Sequence, residues 1–211
     1  MNKDIRHLNW GPLVTKFTLK DSFCKELLKK GKKCVNDARH ILAGIIDKEF
    51  TYNDDDMNWF CEEFSPYLNN HMNLLNTWHN AHYDVNLKLD KLWINFMKQS
   101  EFNPLHIHTG DLSFVIYLKV PKELELENKN YKGTDQGGPG AIKFINELKN
   151  DEMCITRHSF LPKEKEAFIF PASLNHTVHP FRCKKERISV SGNFHFIDKN
   201  GNNINNNFLK K

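Results

Sequence analysis

From Val85 onward the chain is a succession of short apolar runs separated by turn residues, and this pattern restricts the possible folds most strongly. Leu87 to Met97, Leu112 to Val120, Ala141 to Ile145, Ile155 to Phe160, Ala167 to Phe170, His176 to Phe181 and Ile188 to Ile197 are each rich in β-branched or aromatic residues. Runs of this kind predict strands, and seven in succession predict a sandwich or jelly roll. The first third of the chain has another period. Leu13 to Leu19 suits an opening strand, Asp21 to Gly31 a short helix, and Cys34 to Ile46 a second helix with Val35, Ala38, Leu42 and Ile45 at helical spacing. Asp54, Asp55 and Asp56 set negative charge where a helix N-terminus favours it. The helix they start presents Phe60, Phe64, Tyr67, Leu68, Leu75 and Trp78 on one side, with Pro66 as the place for a kink. The expected class is α+β, with a mostly helical region over 1–84 packed on a jelly-roll core over 85–211.

Composition narrows the function classes. With 211 residues, 16 Phe and 4 Trp, the chain can bury a core without covalent staples. The net charge of +4 comes from scattered lysines and short clusters such as Lys29, Lys30, Lys32 and Lys33. Without a continuous basic stripe, nucleic acid is disfavoured as a partner. Five cysteines, Cys24, Cys34, Cys61, Cys154 and Cys183, form no CxxC pair and read as reduced thiols of a cytoplasmic protein. The start, MNKDIRHLNWGPLV, has no apolar signal core, and no run reaches membrane-spanning length, so no membrane association is expected.

The candidate chemistry sits in two segments about 70 residues apart. The first reads His106-Ile107-His108-Thr109-Gly110-Asp111. Side chains two apart on a strand share a face, so His106 and His108 are expected to point inward together, and imidazole suits Fe, Zn, Cu or Ni. The second runs from Phe170-Pro171 to His176, then Glu186-Arg187-Ile188-Ser189-Val190-Ser191. Alternation puts Arg187, Ser189 and Ser191 on one face of the last strand. A guanidinium can bind a carboxylate through two hydrogen bonds while a nearby hydroxyl adds a third. The plainer alternative for Arg187 is an ion pair with Glu186 or a surface acid. The polar stretch Glu123 to Pro139, followed by Gly140, reads as a long loop, either a cover for the site or a surface excursion.

Together these motifs, spelling HxH, FPxxLxH and ERISxSxN between His106 and Asn193, resemble the 2-oxoglutarate/Fe(II)-dependent oxygenases, in particular the small members of that superfamily found in bacteria and phages. The resemblance covers roughly the C-terminal 60% of the chain. It implies a double-stranded β-helix (jelly roll) with N-terminal helices packed on it, and a dioxygenase using Fe(II), 2-oxoglutarate and O2. The implied outcome is hydroxylation of a protein residue or a metabolite, with release of succinate and carbon dioxide. Position by position, it makes His176 the distal iron ligand and Arg187 the anchor of the far carboxylate of 2-oxoglutarate, assisted by Ser189. Tyr117 would lend its hydroxyl to the cosubstrate, and Asn193 would line the pocket.

One departure matters. The superfamily's usual first motif is His-x-Asp or His-x-Glu, whereas the third position here is His108. Three readings follow: a site of His106, His108 and His176; a site in which Asp111 supplies the carboxylate beside His108; or two protein ligands with water or another anion completing the set. The strand register favours the first. Two further classes remain: a cupin-like three-histidine metalloenzyme without 2-oxoglutarate, and a non-catalytic jelly-roll binding module. Neither the primary substrate nor the oligomeric state is legible in the sequence.

Overall fold

A computed structural model describes residues 11–134, 137–146 and 155–204. Cys154, the first ten residues, the asparagine-rich end from residue 205 and positions 135–136 of the predicted loop lie outside the described residues.

Two antiparallel sheets form the frame. The larger has seven strands in the order β1 (Thr15–Thr18), β9 (Glu166–Pro171), β6 (Leu112–Lys119), β11 (Arg187–Ile197), β4 (Asn86–Met97), β3 (Glu49–Thr51), β2 (Asn36–Asp37). The smaller has four, β5 (Asn103–His106), β10 (Asn175–Val178), β7 (Ile142–Ile145) and β8 (Arg157–Phe160). Strands β1, β2 and β3, from the first third of the chain, hydrogen-bond into the same sheet as the later strands.

Each face of the large sheet has its own cover. Outside, helices α1 (Asp21–Gly31) and α2 (Asp54–His79) bring Phe23, Leu27, Phe60, Phe64 and Leu68 onto Leu92, Ile94, Phe114, Ile116, Ile188 and Val190. Inside, Val115, Tyr117, Phe168 and Phe170 meet Ile142, Phe144 and Val178 of the small sheet. Burying one such large apolar side chain is worth about 1.5–3 kcal/mol, so these two layers hold the sheet in place. Strand β11 shows the consequence of alternation. Ile188, Val190 and Phe194 face the helices, whereas Arg187, Ser189, Ser191 and Asn193 line the space between the sheets. Gly192 takes a helix-side position, where a Cβ would lie 2.6 Å from the Phe114 ring and 2.5 Å from the Lys91 carbonyl oxygen.

Helix α2 starts as its sequence predicts. Asn53 is its N-cap and its side chain accepts a 2.8 Å bond from the Asp56 N–H, with three aspartates in the first turn. The helix continues through Pro66 and stops at Asn80 in the left-handed conformation.

Two expectations are corrected. Cys34 to Ile46 is not a helix; it holds β2, a 3-10 turn at Arg39–Ile41 and irregular backbone. Tertiary pairing overrides its period: Ala38 N–H donates to Glu49 O, and Ile45 N–H to Phe102 O, while Val35 is left 81% exposed and Ile45 58%. The polar stretch from Glu123 is not a simple loop either. It contains helix α3 (Lys122–Lys129), which buries Leu124. Glu127 accepts backbone N–H bonds from Arg182 and Cys183, and the Asn128 amide donates to the carbonyls of Gly137 and Pro139. Leu124 joins the apolar cluster between the sheets, but no residue from Glu123 to Pro139 among those described lines the cavity there; Ile41 to Gly44 line it instead.

Candidate metal centre

Strands β5 and β10 pair antiparallel with His106 opposite His176. His106 ends β5, and His108 follows in irregular backbone whose N–H donates to Ala172 O at 2.8 Å. That bond, rather than a continued strand, turns the His108 ring towards the other two. The ring centroids lie 4.2 Å (His106 to His176), 4.9 Å (His106 to His108) and 4.9 Å (His108 to His176) apart. One ligand atom from each falls within 4.8 Å of the others.

The tautomers follow from the second ring nitrogens. His106 Nδ1 is 2.7 Å from Pro104 O and His176 Nδ1 is 2.8 Å from Leu174 O, so each carries its proton there and presents a bare Nε2 to the centre. His108 Nε2 lies 3.0 Å from His176 Nε2. Two adjacent ligands on one ion at imidazole bond lengths of ~2.1 Å would have this spacing. Burial holds His108 down to about 3, helped by its two histidine neighbours, and His176 down to about 4; His106 is lowered by burial as well. All three are therefore neutral near pH 7, the form in which imidazole binds a metal. Three neutral nitrogens converging on one point among Phe170, Phe144 and Trp93 fit a borderline transition ion such as Fe(II).

Asp111 is not brought into this group. Gly110, with φ of +94°, sits where a Cβ would be 2.9 Å from Phe194 O, and this turn carries the chain away into β6. The Asp111 carboxylate accepts from Phe196 N–H at 2.7 Å and lies 3.8 Å from His195 Nδ1.

Arg187 opens into the same cavity of about 210 Å³ that the histidines line. It is 2% exposed. Its NH1 donates to Gly140 O at 2.8 Å and NH2 lies 2.7 Å from Met97 Sδ, whereas Nε has no partner. The guanidinium sits 5.5 Å from the Tyr117 ring centre and 5.9 Å from that of Phe181. No carboxylate among the described residues forms an ion pair with it, so the expected alternative of a partner in Glu186 is not what the structure has. Burial lowers its pKa, but a guanidinium stays charged at neutral pH. A buried, uncompensated cation is costly unless an anion joins it.

Tyr117 stands beside it. Burial pushes its phenol up to about 12, and its hydroxyl has no partner. Ser189 pairs across the sheet with Tyr117 on one side and Asn95 on the other. Asn193 is buried and accepts a 3.0 Å bond from Ser113 Oγ, with its side chain on the cavity wall. Three lining residues have no place in the motifs: Glu49, Asn95 and Asn103, each with a buried side-chain oxygen lacking a partner. The alternation of Trp93, Asn95 and Met97 along β4 marks Asn95 as inward-facing. Glu49 carries no such local signal.

With this geometry in hand, comparison with known proteins gives a consistent result. Residues 91–193, just under half of the chain, match the model of a family described as "Putative 2OG-Fe(II) oxygenase". No match to a curated protein was found. Among solved structures, the chain is similar to an oxidoreductase of the 2OG-Fe(II) oxygenase family from Burkholderia pseudomallei, at 10% identity and a TM-score of 0.56, covering 86% of this chain and 83% of that one. A viral collagen prolyl hydroxylase from Paramecium Bursaria Chlorella virus-1, in its 2OG complex, aligns at 15% identity and a TM-score of 0.52 over 86% of this chain and 94% of its own. HygX from Streptomyces hygroscopicus, with nickel and 2-oxoglutarate bound, aligns at 9% identity and a TM-score of 0.54 over 87% and 82%. These likenesses show the fold, a double-stranded β-helix with helices packed on it. The family match lies on the segment that carries the motifs.

Proposed function

We propose, from a core that matches the 2OG-Fe(II) oxygenase family, that this chain is a dioxygenase that hydroxylates a protein side chain or a small molecule. The match spans residues 91–193, the segment that carries the motifs, and the family's chemistry uses Fe(II), 2-oxoglutarate and O2. When bound, this group supplies the oxidation: one atom of O2 goes to the oxidised 2-oxoglutarate, released as succinate and carbon dioxide, and the other to a substrate C–H bond.

The observation that carries the reading is the pairing, in one cavity, of three converging neutral histidines with a buried cation that no carboxylate among the described residues pairs. His106, His108 and His176 would hold the iron through Nε2, with His106 and His176 oriented by the Pro104 and Leu174 carbonyls. Arg187 would bind the far carboxylate of 2-oxoglutarate, using the Nε–H that now lacks a partner. The Tyr117 hydroxyl, protonated and free, would donate to that carboxylate, with Ser189 beside it. Asn193 would form part of the wall. Phe144, Phe170 and Trp93 would keep water from the reacting centre. With imidazole in place of a ligand carboxylate, the site is one unit more positive than the usual two-histidine, one-carboxylate set. That Asp111 lies outside the cluster, with its carboxylate on the Phe196 N–H, supports the three-histidine set over the one containing that carboxylate. Among the described residues no helix is long and apolar enough to cross a membrane. The four described cysteines are free thiols, the form that suits the cytoplasm as the place of action.

The three-histidine donor set also favours a second reading, a cupin-like metalloenzyme that does not use 2-oxoglutarate. Succinate release discriminates between them. The Fe(II)-loaded protein, given 2-oxoglutarate and O2, is expected to form succinate even without its primary substrate, at a slow uncoupled rate. Arg187→Met should reduce this to the background of metal-free protein. Equal succinate from both would refute the assignment of Arg187.

A further inference from the structure

A second group of unpartnered polar atoms lines the same cavity, two strands from Arg187. Glu49 on β3 is 1% exposed and its Oε2 has no hydrogen-bond partner. Asn95, its neighbour in register on β4, is 4% exposed with Oδ1 equally unpartnered. Asn103 Oδ1, on β5 of the facing sheet, is buried without a partner too. The register sets Glu49, Asn95, Ser189 and Tyr117 side by side across four strands. The cavity wall is therefore a polar row with a carboxylate at one end and, next to its other end, the Arg187 guanidinium.

Glu49 and Asn103 converge. A Cβ on Gly44, at the rim, would lie 2.6 Å from Asn103 Oδ1 and 2.6 Å from Glu49 Oε1. The charges around Glu49 are mostly of its own sign. Glu101 and Asp37 add to the negative field, and both Glu101 oxygens already accept backbone N–H bonds from Asp47 and Lys98. The cation among its neighbours, Arg39, is bound to Asp37 through Nε and NH2, the latter at 2.6 Å. A buried carboxyl with acceptor-rich neighbours, and no cation bonded to it among the described residues, is the counterpart of the unpaired Arg187; burial and the like charges raise its pKa to about 7, so without a cation it is partly protonated near neutral pH. The same desolvation argument applies with the sign reversed. An amide can turn to offer either oxygen or nitrogen, but an ionised carboxylate only accepts, and a cation placed against Glu49 favours that ionised form, so Glu49 sets the preference for a cationic donor.

We propose that Glu49, Asn95 and Asn103 form the primary-substrate subsite of this cavity, and that it takes a cationic nitrogen group, an amine or a guanidinium, through N–H donation to these three oxygens. The inference rests on the oxygenase reading for having a second substrate in the cavity. Arg187 would then take the anionic cosubstrate and Glu49 the cationic substrate, so that each is rejected from the other's place by like charge. Ile41 and Ile107, exposed at the cavity mouth, would lie along the aliphatic stem of a long cationic side chain.

The test uses the full chain loaded with Fe(II) and 2-oxoglutarate under nitrogen. N-acetyl-lysine methylamide and N-acetyl-arginine methylamide are titrated calorimetrically, with the uncharged N-acetyl-citrulline methylamide as control. At least one cationic probe should bind more tightly than the control. Glu49→Gln should weaken that probe roughly 10- to 100-fold, as expected for a hydrogen bond to a charged group, and leave the control and the 2-oxoglutarate affinity unchanged. Asn103→Ala should weaken the same probe by a smaller factor. The proposal is overturned if neither cationic probe exceeds the control, or if the preference survives in Glu49→Gln. Failure of 2-oxoglutarate to bind the wild type would sink the oxygenase reading instead. The probes would then be titrated onto the Fe(II) protein alone, where a Glu49-dependent preference for cations supports the subsite and its absence overturns it.

Discussion

Replacing Arg187 by methionine should separate function from stability. The side chain is 2% exposed and, among the described residues, its charge faces Gly140 O, Met97 Sδ and two aromatic rings. Replacing buried ionic groups by apolar ones of similar volume is neutral or stabilising by about 1–4 kcal/mol even when the charges are paired. Here no anion partner is lost. Against this stands the Gly140 carbonyl, which loses its donor at a cost of about 1–3 kcal/mol. The difference of the two terms places the ligand-free variant between about 2 kcal/mol less stable and about 3 kcal/mol more stable than the wild type, a melting temperature within roughly 12 °C of it for a chain of this size. Binding of 2-oxoglutarate should suffer much more. Removing one partner of a buried charge-assisted pair costs about 2–5 kcal/mol, a loss of roughly 30-fold to several thousand-fold in affinity. Thermal melting of the ligand-free protein and calorimetric titration of 2-oxoglutarate onto its Fe(II) form give the two numbers. A variant that melts well below the wild type yet binds 2-oxoglutarate normally would refute the reasoning and make Arg187 a structural residue.

Three further outcomes are expected. His176→Ala should lose bound metal and His158→Ala, whose ring stacks on Phe160 outside the cluster, should retain it, as read by metal content after dialysis; equal metal in both would remove the site. Asp111→Ala should keep its metal while losing about 1–3 kcal/mol of stability, because the Phe196 N–H is left without its acceptor; metal loss with stability intact would restore Asp111 as a ligand. The metal-free protein should lose stability as pH falls from about 6.5 towards 4, measured by denaturant unfolding. The folded pKa values of His71 and His176 are depressed to about 4 and that of His108 to about 3, so the unfolded chain binds more protons in that window and acid favours it. Glu49, raised to about 7 by burial, acts in the opposite sense between about 4.5 and 7, so Glu49→Gln should steepen the loss. A flat profile would show that these histidines are not buried in their neutral form.

What the sequence reveals of this molecule depends on how local the physical signal is. The strands after Val85 are legible because β-branched runs and turn residues act within a few positions, and alternation on β11 places Arg187, Ser189 and Asn193 opposite Ile188 and Val190 without reference to anything distant. The convergence of His106, His108 and His176 is half legible. The i,i+2 spacing suggests a shared face, but His108 lies beyond the strand and is aimed by a bond to Ala172 O, 64 positions further on. The apolar spacing between Cys34 and Ile46 misleads, since pairing with Glu49 and Phe102 draws that segment to the sheets and leaves Val35 and Ile45 in solvent. Helix α3 hides in a charged stretch because one buried leucine, Leu124, anchors it. Glu49 reaches the cavity through pairing with Asn95, 46 positions on, and Asn103 through pairing with Val178, 75 positions on, which no local pattern encodes.

The central claim is that one cavity holds Fe(II) on three histidines and 2-oxoglutarate on Arg187. Anaerobic titration of the metal-free protein, first with Fe(II) and then with 2-oxoglutarate, tests it most directly through the weak visible charge-transfer absorption of the chelate. The account predicts no visible band with Fe(II) alone, a band that grows and saturates with 2-oxoglutarate, and its absence at the same concentrations in Arg187→Met. Iron binding without any band on adding 2-oxoglutarate would contradict it and favour the cupin-like alternative.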